Sequence, residues 1–169
     1  MKWFSAIILL VIGLDQFTKK LAVDYLSSLP DGIPVIPGLF SLTFAQNRGV
    51  AFGVEFAPPA MLLLMTGLIT ATVLFYVIRS KRQDAIFLIP FALITGGGIG
   101  NMIDRITSGK VVDFIYFDLY HGKILGTYVS LWPIFNVADS AITIGACMLI
   151  LFHNQVFSHE TMAETTDVR

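Results

Sequence analysis

Apolar residues gather in four runs along the chain, at 3–25, 60–78, 85–105 and 132–153, separated by segments richer in polar residues, prolines and glycines. Each run has about 20 residues, enough for a helix rising about 1.5 Å per residue to cross a hydrocarbon core of ~30 Å. Open strands would leave backbone groups unsatisfied in lipid, so the runs predict four transmembrane helices. The run 60–78 contains no charge, whereas the outer half of the first carries Asp15, Lys19, Lys20 and Asp24. In the fourth, a helix beginning at Trp132 places Asp139 about 10 Å along its axis.

The separators differ in kind. Arg79-Ser80-Lys81-Arg82-Gln83-Asp84 is short and basic, which assigns it to the cytoplasm, and four crossings then return both termini to that side. Lys19, Lys20 and Arg105 lie near the outward ends and pull the other way, so the charge count does not fix the orientation alone. The connections 26–59 and 106–131 then face outward. In the first, Pro34, Pro37 and Gly38 lead into Leu39-Phe40-Ser41-Leu42-Thr43-Phe44, a strand pattern. The second predicts a hairpin, with Val111–Leu119 and Ile124–Leu131 flanking a turn at Tyr120–Lys123. The expected fold is an all-α membrane protein with four transmembrane helices and a small outward β-sheet and loop region. Residues 1–157 form one domain, and 158–169 a polar, disordered tail. The stretch Met1-Lys2 followed by apolar Trp3–Leu14 imitates a signal peptide, but Asp15-Gln16 follows it rather than a small-residue cleavage site. It is expected to remain as the first span.

Composition agrees with lipid as the main solvent. Of 169 residues, 55% are hydrophobic and 14% charged, against about 25% charged in a soluble domain, and the mean hydropathy is +0.75. A net charge of -1 gives no electrostatic case for binding nucleic acid. The single cysteine, Cys147, excludes an internal disulfide and a cysteine metal cage. His121, His153 and His159 are scattered, with no HExxH spacing, so no metal site is expected.

Against this background two carboxylates stand out. Asp139 lies in an apolar helix, where a charged side chain costs roughly 2.5–3.5 kcal/mol. Asn136, Asp139, Ser140 and Thr143 recur at i, i+3, i+4 and i+7, one polar stripe that must face protein or water. A stripe that merely joins helices would be served by Asn or Ser without an ionisation cost. Asp113, in Val111-Val112-Asp113-Phe114, is a second acid in apolar surroundings, within reach of the outward end of the fourth helix. Two carboxylates held together cannot both ionise, and such a dyad can activate water while polarising a carbonyl. The rival use of membrane acids is a proton or cation relay in a small transporter. That use calls for polar residues through the bilayer, whereas Ile144–Phe152 is apolar. A non-catalytic scaffold explains neither acid.

Other residues cluster around the same end. Gly96-Gly97-Gly98-Ile99-Gly100-Asn101 permits close helix packing, Gly97 and Gly100 sharing a face with Asp104, and Gly98 and Asn101 sharing one with Arg105. Arg105 serves either as a snorkelling anchor or as a fixed cation for a carbonyl or phosphate oxygen. Asp15–Lys19 and Lys20–Asp24 are i, i+4 pairs in the favourable order. Asn47 and Gly49 have turn chemistry.

Taken together the chain resembles bacterial lipoprotein signal peptidase (signal peptidase II). Five motifs carry the resemblance: Asp15-Gln16-x-Thr18-Lys19, Asn47-x-Gly49-Val50-Ala51-Phe52, Gly96-Gly97-Gly98-Ile99-Gly100-Asn101-x-x-Asp104-Arg105, Val111-Val112-Asp113-Phe114 and Phe135-Asn136-x-Ala138-Asp139-Ser140. It implies an aspartic endopeptidase of the bacterial inner membrane that cuts signal peptides from prolipoproteins just before a diacylglyceryl-cysteine. It also implies cytoplasmic termini and a site near the periplasmic face; a carboxylate dyad needs no cofactor, the substrate's lipid is expected to stay among the membrane lipids, and nothing requires an oligomer. Matched motif by motif, Asp113 and Asp139 are the catalytic dyad. Asn47, Gly49, Asn101, Arg105 and Asn136 contact substrate, and Asp15, Lys19 and Asp104 support the site. The Asp113–Asp139 interval, with its segment 120–131, is longer than the family pattern leads one to expect.

Overall fold

The computed structural model describes residues 2–49, 58–119, 121–124, 127–130 and 132–157. These residues form helices α1 (Lys2–Leu26), α2 (Pro59–Ser80), α3 (Ala85–Ser108) and α4 (Val137–Leu151). Strands β1 (Ile33–Ile36) and β2 (Phe40–Asn47) lie between α1 and α2, and β3 (Val111–Phe117), β4 (His121–Ile124) and β5 (Thr127–Ser130) between α3 and α4.

Two apolar clusters set the helix directions. Phe4 of α1, Val77 of α2, Phe87, Leu88, Phe91 and Ala92 of α3, and Val156 just beyond α4 pack together. The starts of α1 and α3 thus lie with the ends of α2 and α4, and the helices alternate up and down. At the opposite end Ala22 and Leu26 of α1 pack with Phe114 of β3, joined by Leu42, Phe44, Val112, Ile115 and Val137. This second cluster seats the sheet on the bundle.

The buried face of α1 is a single stripe, Phe4, Val11, Asp15, Lys19, Ala22 and Leu26, at spacings of three to seven residues. It is apolar at both ends and charged in the middle, while Leu9, Leu10, Phe17 and Tyr25 point outward. Helix α3 is the centre of the bundle. Asp84 caps its start by accepting the Phe87 N–H at 3.1 Å, and Gly109 ends it with φ of 72°. At Gly97 a methyl group would strike the Ala138 carbonyl, and at Gly100 the Asp15 carboxylate at 2.6 Å. The glycine run therefore lets α3 touch α4 and α1 directly, as its small-residue pattern predicts.

Helices α2 and α3 are each long and apolar enough to cross a membrane. Helix α2 packs mainly on α3 and leaves Leu64, Leu68, Ile69 and Phe75 exposed. The charged half of α1 and the 15-residue length of α4 set those two apart.

Two sequence expectations are corrected. The fourth helix starts at Val137, not near Trp132, and Asn136 is its N-cap. Trp132 precedes a proline, which disfavours helical backbone. Phe135 is instead held by β3: it donates to Ile115 O at 3.0 Å, and its carbonyl accepts the Ile115 N–H at 2.8 Å. Asp139 consequently sits in the first turn rather than about two turns along. The expected hairpin of 111–119 with 124–131 does not form either. Strand β3 pairs antiparallel with β2, and His121–Lys123, expected as a turn, belong to β4, which pairs with β5. Ring stacking of Phe40 on Phe117 at 4.8 Å favours the β2–β3 partnership. The strand expected at Leu39–Phe44 is present as β2 and extends to Asn47. The tail 158–169 lies outside the described residues.

Candidate active site

Asp113 and Asp139 reach one cavity from different elements. β2–β3 pairing sets Ala45 opposite Asp113 and Asn47 opposite Val111. The Asn47 Nδ2 donates to Asp113 Oδ2 at 3.2 Å, and the Asn47 Oδ1 accepts the Gly49 N–H at 2.9 Å. That turn, expected from Asn47 and Gly49, orients the amide so that its NH2 faces the acid.

On α4, Asn136 and Asp139 form a reciprocal cap. The Asp139 N–H donates to Asn136 Oδ1 at 2.9 Å, and the Asn136 N–H to Asp139 Oδ2 at 3.3 Å. With its oxygen so engaged, Asn136 turns its NH2 to Asp113 Oδ1 at 2.7 Å and to Asn101 Oδ1 at 3.2 Å. Asn101 in turn donates to Asp139 Oδ1 at 2.8 Å. Asn136 is fully buried and thus links the two aspartates across the gap between β3 and α4.

Beneath them Lys19 meets three acceptors: Asp15 Oδ2 at 2.8 Å, Asp104 Oδ2 at 3.0 Å and Asn101 Oδ1 at 2.9 Å. An ammonium has three N–H groups, and each has a partner. Asp15 Oδ1 accepts the Ala138 N–H at 2.9 Å, in the first turn of α4 where an anion is favoured. Asp104 Oδ2 accepts the Val112 N–H at 3.0 Å, next to Asp113. The three supports expected from the sequence therefore tie α1, α3, β3 and α4 into one network.

Gln16 belongs to it as well. Its Nε2 donates to Asp104 Oδ1 at 2.9 Å and to Asp15 Oδ2 and Gly100 O, each at 3.2 Å. It was present in the first motif without a role. Its spacing from Asp15 gave no sign that it would turn toward α3. The backbone N–H groups of Val112 and Ala138 left no trace in the sequence.

A cavity of about 530 Å³ opens over the acids, lined by Asn47, Gly49, Asn101, Arg105, Asp113 and Asp139, and walled by Val111, Trp132, Pro133, Ile134 and Phe135. Ser140, Ile142, Thr143 and Ile144 continue the lining along α4. Arg105 is half-buried at the edge, with one long contact among the described residues, Nη1 to Asn101 O at 3.5 Å. Its guanidinium feels Asp139, Asp113 and Asp104, most strongly the first. All ten residues expected at the site thus lie in the cavity wall or the network beneath it.

Asp113 is 3% exposed. Burial first, and then the charge of Asp139, push its carboxyl up to about 7, while the amides of Asn47 and Asn136 pull the other way. A carboxyl that titrates near neutrality at the wall of a cavity is suited to moving protons.

Comparison with known proteins identifies the family of the chain. The profile of the Signal peptidase (SPase) II family matches residues 7–155. The lipoprotein signal peptidase of Pelodictyon phaeoclathratiforme is 68% identical over 169 residues, all of both chains. That of Syntrophus aciditrophicus is 39% identical over 84% of this chain and 86% of its own. A bacterial membrane enzyme solved by the in meso method at 2.3 Å superposes with a TM-score of 0.76 at 27% identity, over all of this chain and 93% of the other. The profile match and the full-length relatives converge on one conclusion: the chain belongs to the signal peptidase II family of peptidases.

Proposed function

We propose that this protein is an aspartic endopeptidase that removes signal peptides from prolipoproteins, cleaving just before a diacylglyceryl-cysteine. The observation that carries the reading is the pairing of Asp113 and Asp139 through Asn136 at the wall of a mixed polar and apolar cavity. Its relatives' name, lipoprotein signal peptidase, supports the substrate class.

The chemistry follows from the residues. Asn47 and Arg105 present N–H donors at the cavity edge, suited to peptide or lipid-ester oxygens. Trp132, Pro133 and Phe135 offer an apolar wall to the signal peptide. One aspartate takes a proton from water as the oxygen attacks the scissile carbonyl. The other gives its proton to the carbonyl oxygen, so a neutral gem-diol forms and no free anion develops.

The same reading places the enzyme in the bacterial inner membrane as a single integral domain, 1–157, with four spans. Both termini and the tail 158–169 are cytoplasmic, the site lies near the periplasmic face, and the protein acts as a monomer among lipids. The side-by-side clustering of the start of α1 and the residues after α4 supports termini on one side. A transporter is disfavoured, because the polar lining stops at Thr143 and Ile144 follows.

The test is cleavage of a diacylglyceryl prolipoprotein by purified protein. Asp113→Asn and Asp139→Asn should each lower the rate by at least about 100-fold, the scale of a lost proton-transfer group. Wild-type rates in either variant refute the dyad.

A further inference from the structure

The two aspartates stand in unlike settings, and this inference rests on the aspartic reading above. We infer that their roles are fixed by the scaffold: Asp139 is the carboxylate that takes the proton from water, and Asp113 is the acid that delivers a proton to the scissile carbonyl.

Asp139 is surrounded by groups that favour a charge. It lies in the first turn of α4, at the end of a 15-residue helix where the backbone dipoles favour an anion. One oxygen accepts a backbone N–H from Asn136, the other the NH2 of Asn101. Asn101 cannot reverse its amide, because its own oxygen is taken by the Lys19 ammonium and by Asn136. Arg105 is drawn to Asp139 more strongly than to Asp113. Asp139 is also the less buried of the two, open to the cavity from which water would come.

Asp113 has the opposite surroundings. It is on a strand rather than within a helix, and almost sealed from solvent. Its donors are two neutral side-chain amides, and that of Asn136 is shared with Asn101 Oδ1 and Val112 O at 3.2 and 3.3 Å. The charged groups packed around the pair are Asp15 and Lys19 from α1 and Asp104 and Arg105 from α3. Lys19 is bonded to Asp15, Asp104 and Asn101, so it reaches Asp113 only by its charge through space, which favours the ionised form less than burial and Asp139 oppose it. A carboxyl titrating at about 7 is consistent with a group that arrives protonated.

The step balances as follows. Water oxygen bonds to the carbonyl carbon while its proton goes to Asp139, and the Asp113 proton goes to the carbonyl oxygen. In collapse the Asp139 proton passes to the departing nitrogen, the C–N bond breaks, and Asp113 recovers a proton from the gem-diol. Both groups return to their starting states.

Infrared spectroscopy of the purified full-length enzyme reads the assignment directly, through the stretching band of a protonated carboxyl followed against pH. The wild-type band should fall to half near pH 7. Asp113→Asn should abolish it. Asp139→Asn should keep it and move its midpoint to lower pH, because a neighbouring negative charge is gone. Asn47→Ala, which alters no helix packing, should move the midpoint upward, because it removes a donor to the charged form. A band retained in Asp113→Asn and lost in Asp139→Asn, or a midpoint unmoved by Asn47→Ala, overturns the assignment. Prolipoprotein cleavage by the same preparations separates the two ideas. If either aspartate variant still cleaves at the wild-type rate, the aspartic reading itself fails. If both are inactive and the band follows Asp139, only the division of roles fails.

Discussion

Lys19 and Lys20 are adjacent in sequence and opposite in environment. Lys20 pairs with Asp24 at 2.9 Å on the exposed side, its side chain 74% accessible, whereas Lys19 is buried among Asp15, Asp104 and Asn101. An exposed pair is worth little, and a broken buried one is costly because charges are left unpaired. Lys19→Met should therefore destabilise the protein by about 3–5 kcal/mol, and Lys20→Ala by under ~1 kcal/mol, in parallel thermal melts in detergent. Asp113 makes a second prediction, about pH. Between its ordinary value of 3.8 and about 7 the folded protein holds a proton that the unfolded chain has released. Folding is then favoured at the acid end of that window and weakened as pH rises through it. The melting temperature should fall from about pH 4 to about pH 7, and Asp113→Asn should flatten the slope. The Asp15–Lys19 contact was legible, since i, i+4 spacing alone predicts it. The Asn47–Asp113 contact was not, because it depends on the register of two strands separated by more than sixty residues.

At the level of elements, helix packing and helix ends control the site. Gly100 meets the Asp15 carboxylate, and Gly97 the carbonyl of Ala138, next to Asp139. Gly13, on the same bundle, meets nothing within 4 Å. Gly100→Ala should cost activity and lower the melting temperature. Gly13→Ala should leave activity unchanged and gain roughly 0.5–1 kcal/mol from a stiffer helix. Equal behaviour of the two in paired assays would contradict the close-packing role. The bundle's other end is fastened by Arg82, which pairs with Asp84 at 2.9 Å, donates to Gln155 O and Val156 O, and lies over the Phe87 ring at 4.5 Å. Hydrophobic runs revealed the helices because lipid-length apolar segments admit few alternatives. The start of α4 was hidden by a competition: Trp132–Phe135 is apolar enough to continue the helix, yet Pro133 and the bridge to Ile115 draw it into the sheet.

For the whole molecule, the alternation of four helices puts the basic 79–84 turn at one end and the three-stranded sheet at the other. In a Cys147→Ala background, Asp31→Cys should react with a membrane-impermeant thiol reagent added to cells with permeable outer membranes. Gln83→Cys should react only after lysis. The reverse pattern would invert the proposed orientation. The residues that meet at the cavity were reached through their motifs rather than through composition, and the mainly helical fold was readable because apolar runs mark helices. The sheet partners were not, because β2 and β3 lie on opposite sides of two helices in the chain.

The bridge between Ile115 and Phe135 closes the chain on itself immediately before α4. The β4–β5 ribbon, a sheet separate from β1–β3, lies in the chain between the two partners of that bridge. Since that bridge stands between the ribbon and the acids, an affinity epitope inserted in the ribbon should leave cleavage intact, whereas Phe135→Pro, which removes the bridging N–H, should abolish it.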